Sequence, residues 1–334
     1  DWLSYHDAAE RLVQFLVVKK YNTIWLPVLK QGGPLFPLDG VQTLPRFENS
    51  SFGTLAQPHS RLDVVELLLR KLDSQQLAMV PVLDLSVRLP KVGETTVSKP
   101  SPLDSTFQQE VLEIIEQFAA RYHRHQSLRG IAIELGPDCP LLFRSESDGL
   151  SATTVARFLS ENSLPWPSHE LGRLEDAPDS VIEQWVLQNH ANQWLRWRAN
   201  ELRKFFTRVQ SQFVALSRPM NQPGLELHLV VTGLHRQPIL RDSLYPSLRG
   251  RPTWSDHWLK LGLNLDTFQS NEDGVYLFVQ QTTKQNSDIA LHRRANVTSH
   301  TTDFWQALEK TSELGVMTQQ ALRQTVVEAM AETP

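Results

Sequence analysis

Short apolar runs alternate with amphipathic helical patterns along most of this 334-residue chain. Each run is continuously apolar, which is typical of a strand buried on both faces of a parallel sheet. Five strands are predicted on this basis, at residues 23–29, 77–85, 130–136, 225–232 and 274–280. Helical periodicity predicts helices at residues 5–19, 62–72, 107–122, 151–159, 181–216 (weakest near Asn189), 254–261, 302–310 and 318–330. The alternation indicates a parallel α/β fold.

A closed (β/α)₈ barrel and an open doubly wound sheet both produce this alternation. No Gly-x-Gly-x-x-Gly follows a predicted strand, and the chain contains no Gly-Lys-Ser/Thr. The dinucleotide-binding and P-loop versions of the open sheet therefore have no support in the sequence. The longest loops follow the carboxyl ends of predicted strands, which is where a barrel carries its active site.

Charge and cysteine content exclude several classes of function. The chain has 33 Lys and Arg against 37 Asp and Glu, a balance that argues against a dedicated binder of nucleic acid or of an anionic membrane. Its single cysteine cannot form an internal disulfide or a Cys₄ or Cys₂His₂ zinc site. No apolar stretch approaches the length of a membrane span. We therefore expect no nucleic-acid partner, no membrane span, no metal centre and no cofactor. Because the first residue is Asp1, we also expect a processed chain or part of a longer protein, either exported or multidomain.

Two carboxylates stand at the ends of otherwise apolar strands. Asp84 closes the second predicted strand, and Glu134 lies near the end of the third. A carboxylate in that position is hydrated in a cleft, paired with a cation or protonated. Two acidic groups that face one cleft supply the acid and the base or nucleophile of glycoside hydrolysis. The alternative is a structural role, in which each carboxylate bonds a backbone N–H or pairs with Arg88 or Arg129.

Further polar side chains follow the same strand ends. Asp138 comes after the third strand, His235 and Arg236 after the fourth, and Gln280 ends the fifth. These four residues are candidates for binding a hydroxylated or anionic ligand, with a solvated loop as the alternative for His235 and Arg236. Cys139 has no histidine nearby in sequence, so a role as a nucleophile has no support.

The chain contains nine tryptophans, and a few are placed to stack on a sugar. Trp166 lies between two prolines in a long loop, a rigid setting that makes it the best candidate for a stacking platform. Trp25 lies within the first strand, where it could line a barrel mouth or pack in the core. Packing is the better interpretation for the tryptophans of helical segments, namely Trp185, Trp194, Trp197, Trp254 and Trp258.

Five segments resemble parts of one known family, in the same order along the chain. They are residues 21–29, 109–134, 194–200, 254–259 and 273–281. These segments are similar to the glycosyl-hydrolase-like 10 proteins, which are related to the family 10 and α-amylase-like TIM barrels. The chain departs from the family's pattern at the third strand, because it has Glu134-Leu135-Gly136 where the family has an aspartate followed by a tyrosine and an arginine.

The resemblance implies a (β/α)₈ TIM-barrel-like α/β fold, with residues 1–300 as the barrel domain and 301–334 as a C-terminal helical segment of the same domain. A complete barrel needs eight strands, so five clear ones predict long insertions or an incomplete barrel. The implied function is hydrolysis of glycosidic bonds in a polysaccharide or oligosaccharide. Glu134 would then be the acid/base or the nucleophile, with Asp84 as its partner or as a ligand of a sugar hydroxyl. The expected substrate contacts are Trp25, Trp166, Asp138, His235, Arg236 and Gln280.

A non-catalytic carbohydrate-binding or scaffold barrel is the main alternative, since the altered strand end at Glu134 fits a site that has lost one carboxylate. A different TIM-barrel hydrolase or isomerase that uses the same strand ends is a third hypothesis, which no phosphate-binding loop or metal cluster in the sequence supports.

Overall fold

The computed structural model describes residues 2–30, 33–38, 63–86, 100–216, 224–233, 254–268 and 274–279. Its helices are α1 Trp2–Val18, α2 Val64–Ser74, α3 Ser105–Tyr122, α4 Ala152–Glu161, α5 Ser168–Leu171, α6 Asp179–Asn189, α7 Ala191–Ala215 and α8 Trp254–Leu261. Its strands are β1 Thr23–Lys30, β2 Gly33–Pro34, β3 Ala78–Asp84, β4 Gly130–Leu135, β5 Glu226–Val231 and β6 Val275–Val279. The helices expected at 302–310 and 318–330, and thus the segment 301–334, lie outside the described residues.

The strands form one sheet in the order β2-β1-β3-β4-β5-β6. The pairs β1–β3, β3–β4, β4–β5 and β5–β6 are parallel. The two-residue β2 runs antiparallel along the other edge of β1. The five predicted strands are therefore confirmed as a parallel sheet, whereas β2 was not predicted. The long helical pattern at 181–216 is interrupted at His190, which separates α6 from α7.

Local side-chain caps explain where several helices begin and end. Asp63 accepts a hydrogen bond from the amide of Glu66 at the start of α2, and Asp104 does the same for Thr106 at the start of α3. After α2 the backbone reverses through Gln76, whose φ of 54° lies in the left-handed region. These caps place the ends of the helices close to where periodicity predicts them.

One face of the sheet, called the outer face here, carries the helices. Its side chains form a single buried cluster with α1, α2, α3, α7 and α8. Right-handed crossovers between strands in sequential order place every connecting helix on the same face. A doubly wound sheet instead reverses its strand order and places helices on both faces. The described strands show no such reversal.

On the opposite face, called the inner face, the cluster formed by the described residues consists of strand residues. Val80, Val82, Ala132, Val230 and Phe278 are buried there against one another, with Trp25 and Tyr276 packed beside them. Trp25 lies on β1 and Phe278 on β6, four strand spacings apart, which is roughly 19 Å in a flat sheet. Their ring centroids are nevertheless 5.2 Å apart. The sheet is therefore curved, with the inner face concave.

A second buried cluster lies in the excursion after β4. It joins α4, α6 and the first half of α7 around residues such as Phe158, Trp194 and Trp197. The stacked rings of Trp194 and Trp197 are 5.3 Å apart, and the ring of Phe158 meets both edge-on. This cluster confirms a packing role for both tryptophans. The excursion also contains α5, which periodicity did not predict.

Candidate functional site

Two carboxylates lie side by side at the carboxyl edge of the sheet. Asp84 is the last residue of β3, and it is paired in register with Glu134 of β4. Asp84 comes two residues after Val82 on β3, and Glu134 comes two residues after Ala132 on β4. Val82 and Ala132 both lie on the inner face. Because side chains alternate along a strand, both carboxylates project from the inner face. The structure therefore brings together the two candidate catalytic residues that the sequence places 50 positions apart.

Asp84 is held by donors on its own turn. Its Oδ1 accepts the amide of Ser86 at 2.9 Å and the hydroxyl of the same serine at 2.5 Å. This arrangement arises because the chain turns immediately after β3, which directs the Ser86 amide back toward the strand end. The side chain of Asp84 is half-buried, so it stays accessible at the edge of the sheet.

Glu134 is held from the next strand. Its Oε1 accepts a hydrogen bond of 3.0 Å from the hydroxyl of Thr232, the residue that follows β5. Glu134 is half-buried, like Asp84. In the described part of the chain, neither carboxylate forms an ion pair with a lysine or arginine. Arg129 precedes β4 at the opposite edge of the sheet, and Arg88 lies outside the described residues.

Cys139 lies in the loop after β4, close to both carboxylates. Its side chain is 1% exposed. Burial raises the pKa of the Cys139 thiol to about 12, and the negative charges of Asp84 and Glu134 act in the same direction. A thiol with such a pKa stays protonated at neutral pH and is a poor nucleophile. Cys139 is therefore a buried, unreactive side chain that packs in the large cluster with the helices.

We expect Cys139 to resist alkylation in the folded protein. Because only the thiolate reacts and the side chain is buried, iodoacetamide should modify it at a rate set by unfolding. The measurement is the modified fraction by mass spectrometry, with and without denaturant. Rapid modification of the native protein, at the rate of an unfolded control, would show that the thiol is accessible and ionised.

An aromatic group lines the inner face below the carboxylates. The half-buried Trp25 lies 5.1 Å from the ring of His228 and 5.2 Å from that of Phe278. The rings of His228 and Tyr276 are stacked at 5.5 Å. Trp25 lies on the same face as Asp84 and Glu134, but it is paired with Val80, four residues before Asp84, so its contacts with His228 and Phe278 are those of the packing alternative.

Sequence reasoning missed His228, which lies in the middle of β5 and is 4% exposed. Interpreting 225–232 as a uniformly apolar run concealed that Glu226, His228 and Val230 share the inner face. The available signal was a histidine at an alternate position within a strand. Gly130 on the neighbouring strand makes room for it, since a Cβ there would lie 2.8 Å from His228 Nε2 and 2.3 Å from the carbonyl oxygen of Glu226.

The remaining predicted site residues are placed less favourably or are not described. Trp166 is half-buried in the second cluster, where its Nε1 donates to the carbonyl of Gly172 and its ring meets Trp185 at 4.9 Å. None of its described contacts reaches the carboxylate edge. Asp138 is exposed in the loop that follows β4. The predictions that lie outside the described residues are those for His235, Arg236 and Gln280.

Two further observations concern the described residues only. No group of three or more His, Cys, Asp and Glu side chains among them is arranged to hold a metal ion. No helix within the described ranges is both long enough and apolar enough to cross a membrane.

No model of a known protein family matches the chain, and no curated protein sequence matches it significantly. The resemblance to glycosyl-hydrolase-like 10 proteins therefore stays a prediction. What bears on function is the geometry of the carboxyl edge, where Asp84, Glu134 and Thr232 meet.

Proposed function

We propose that this chain is a glycoside hydrolase-like enzyme that cleaves glycosidic bonds with the carboxylates of Asp84 and Glu134. The observation that carries the proposal is the in-register pairing of these two residues on one face, at the carboxyl edge of a parallel sheet. Enzymes built on parallel sheets concentrate their chemistry at that edge. Glycoside hydrolysis needs a pair of carboxyl groups around the scissile bond.

We infer that the sheet belongs to a (β/α)₈-type barrel. Three features support this architecture over an open doubly wound sheet. The strand order is sequential, the helices that join the strands share one face, and the inner face is concave enough for Trp25 to contact Phe278. In a barrel the inner face is filled by layers of side chains, and Val80, Val82, Ala132 and Val230 form such a filling here.

We propose a retaining mechanism for this pair. Neighbouring strands lie about 4.8 Å apart, which sets the separation of the Asp84 and Glu134 backbones, whereas the side-chain rotamers set the separation of their carboxyl groups. Retaining glycosidases separate their carboxyl groups by roughly 5–5.5 Å, whereas inverting ones leave roughly 6.5–9.5 Å for a water molecule. The adjacent backbone positions are the support for the shorter separation, and the configuration of the first product tests it.

A screen of hydrolysis tests the proposal. The purified protein is incubated with nitrophenyl glycosides of hexoses, pentoses, uronic acids and N-acetylhexosamines, and with common polysaccharides. We expect release of nitrophenol or reducing ends from at least one class, and ¹H NMR should show that the first product keeps the anomeric configuration of the substrate. The matched control is the double variant Asp84→Asn, Glu134→Gln, which should be inactive and as stable as the parent.

A non-catalytic carbohydrate-binding barrel is the second candidate. The observation that favours it is the sequence Glu134-Leu135-Gly136 at a strand end where the resembling family has an aspartate, a tyrosine and an arginine. In the same screen, this candidate predicts binding of a glycan by calorimetry without any hydrolysis. Activity that persists undiminished in the double variant would rule out both carboxylates as the catalytic pair.

A further inference from the structure

The two carboxylates differ in the kind of group that holds them. Asp84 accepts the backbone amide of Ser86 together with its hydroxyl. A backbone N–H can only donate, and a donor binds a carboxylate more strongly than a neutral carboxylic acid, so this contact suits Asp84 as a carboxylate. Such a carboxylate is suited to a role in which it stays ionised until it forms a bond to carbon.

Glu134 is held by a group that serves both protonation states. The hydroxyl of Thr232 lies 3.0 Å from Glu134 Oε1. A hydroxyl rotates, so it donates to the carboxylate and accepts from the carboxylic acid without moving its oxygen. Glu134 therefore keeps this partner when it gains or loses a proton, as a residue that alternates between acid and base requires.

The backbone of two strands fixes the position of the Thr232 hydroxyl. The amide of Thr232 donates to the carbonyl of Leu135 at 3.3 Å, which extends the pairing of β5 with β4. Gly136 leaves space beside the hydroxyl, because a Cβ there would lie 3.3 Å from Thr232 Oγ1. The next residue, Gly233, has a φ of 59°, so the chain turns immediately after Thr232. These contacts aim the hydroxyl at Glu134.

We propose that Thr232 is a positioning residue that holds Glu134 as the acid/base of the reaction, with Asp84 as the nucleophile. This inference rests on the proposed glycoside hydrolase function and assigns the roles within it. Sequence reasoning left those roles open and did not single out Thr232.

The reaction then proceeds in two balanced steps. In the first, an oxygen of Asp84 bonds to the anomeric carbon while the bond from that carbon to the leaving oxygen breaks. Glu134 gives its proton to the leaving oxygen, which departs as an alcohol, and becomes a carboxylate. In the second, a water oxygen bonds to the anomeric carbon, Glu134 takes a proton from that water, and the bond to Asp84 breaks to release its carboxylate. Thr232 donates to Glu134 between the steps and accepts from it before and after them.

The dependence on the leaving group tests the assignment. Thr232→Val removes the hydroxyl at nearly constant volume, and Thr232→Ser keeps it. With a glycoside of the active sugar that carries an alkyl leaving group, Thr232→Val should lower kcat/KM about tenfold, because one charge-assisted hydrogen bond is lost. With the dinitrophenyl glycoside, whose leaving group needs no proton, the rate of the glycosylation step should stay nearly unchanged. Thr232→Ser should behave as the parent with both. An equal slowing of glycosylation with both substrates would make Glu134 the nucleophile and overturn the assignment.

A carbon-13 measurement separates failure of this inference from failure of the proposed function. The carboxyl carbons of glutamate are labelled with ¹³C, and the signal of Glu134 is assigned from the Glu134→Gln variant. Thr232→Val should move the carboxyl signal of Glu134, because the hydroxyl that donates to its Oε1 is lost, and Thr232→Ser should restore it. Wild-type hydrolysis with an unchanged Glu134 signal in Thr232→Val overturns the role of Thr232 alone. Absence of any wild-type hydrolysis overturns the proposed function and the catalytic role of Thr232 together, even where the signal moves.

Discussion

Replacing Glu134 with glutamine should lower hydrolysis of an alkyl glycoside by about a thousandfold, because a positioned acid or base contributes roughly 10²–10⁴-fold to such a reaction. The amide has the shape of the acid but cannot transfer a proton at neutral pH. It can still accept the Thr232 hydroxyl through its oxygen, so the local structure should persist. The measurement is kcat and kcat/KM on the best substrate from the screen.

The stability of the same variant decides between a catalytic and a structural role. Glu134 is half-buried, and in the described part of the chain it pairs with no lysine or arginine, so loss of its charge should change the free energy of unfolding by less than about 1 kcal/mol. Glu226→Gln is the matched control, since Glu226 lies on the same face at the opposite edge of the sheet. That variant should keep full activity. If Glu134→Gln instead lowers the free energy of unfolding by much more than this, and the variant that remains folded keeps the parent kcat/KM, Glu134 is structural.

The sheet could be predicted from the sequence because its strands are buried on both faces. The apolar run of each strand can be recognised in the sequence without knowing which strand it pairs with. The amphipathic segments between the runs indicate the crossover helices. The rule that parallel strands meet at their carboxyl ends was also enough to predict that Asp84 and Glu134 are neighbours. The short β2 was not predicted, because two residues next to a glycine-rich turn are too few to show the alternating pattern of a strand.

The supporting residues of the site could not be predicted, because they depend on register and rotamer. Thr232 reaches Glu134 only because β5 pairs with β4 in one particular register. Trp166 is a second example of a residue whose surroundings its local sequence does not determine. Its flanking prolines predicted a rigid platform, but the excursion after β4 folds into a cluster that turns its ring toward Trp185. A contact between residues far apart in a folded loop leaves no local pattern in the sequence.

Loss of the Arg198 side chain should destabilise the fold strongly. It lies on α7 within the segment 194–200, and its side chain is 0% exposed. Its guanidinium donates to three carbonyls in the loop after β4 and to one at the end of α8. The four acceptors are the backbone oxygens of Ser145, Glu146, Asp148 and Lys260. The group also lies 4.2 Å over the ring of Phe143. Arg198 thus joins the loop after β4 and the end of α8 to α7.

The charge of Arg198 is itself costly to bury. Burial lowers the pKa of Arg198 to about 9, while Asp148 and Glu146 oppose that shift. The group stays protonated at neutral pH, because even the lowered pKa lies above it. Its net contribution is therefore the balance between that desolvation and the satisfaction of four partly buried carbonyls. Removing the side chain removes the desolvation cost of the guanidinium but leaves the carbonyls without donors. The unsatisfied carbonyls cost more free energy than the buried guanidinium.

Arg198→Met should accordingly lower the free energy of unfolding by about 3–5 kcal/mol, because several carbonyls lose a charged donor and each such hydrogen bond contributes about 1.5–3 kcal/mol. Arg198→Lys should lose most of the same stability, since an ammonium cannot reach carbonyls on two segments at once. The control is Arg196→Met, two residues away on the exposed side of α7, with an expected change within about 0.5 kcal/mol. Urea titrations followed by tryptophan fluorescence measure all three variants. Equal and small losses at positions 196 and 198 would mean that the carbonyls find water as readily as they find Arg198, and that the loop after β4 needs no anchor on α7.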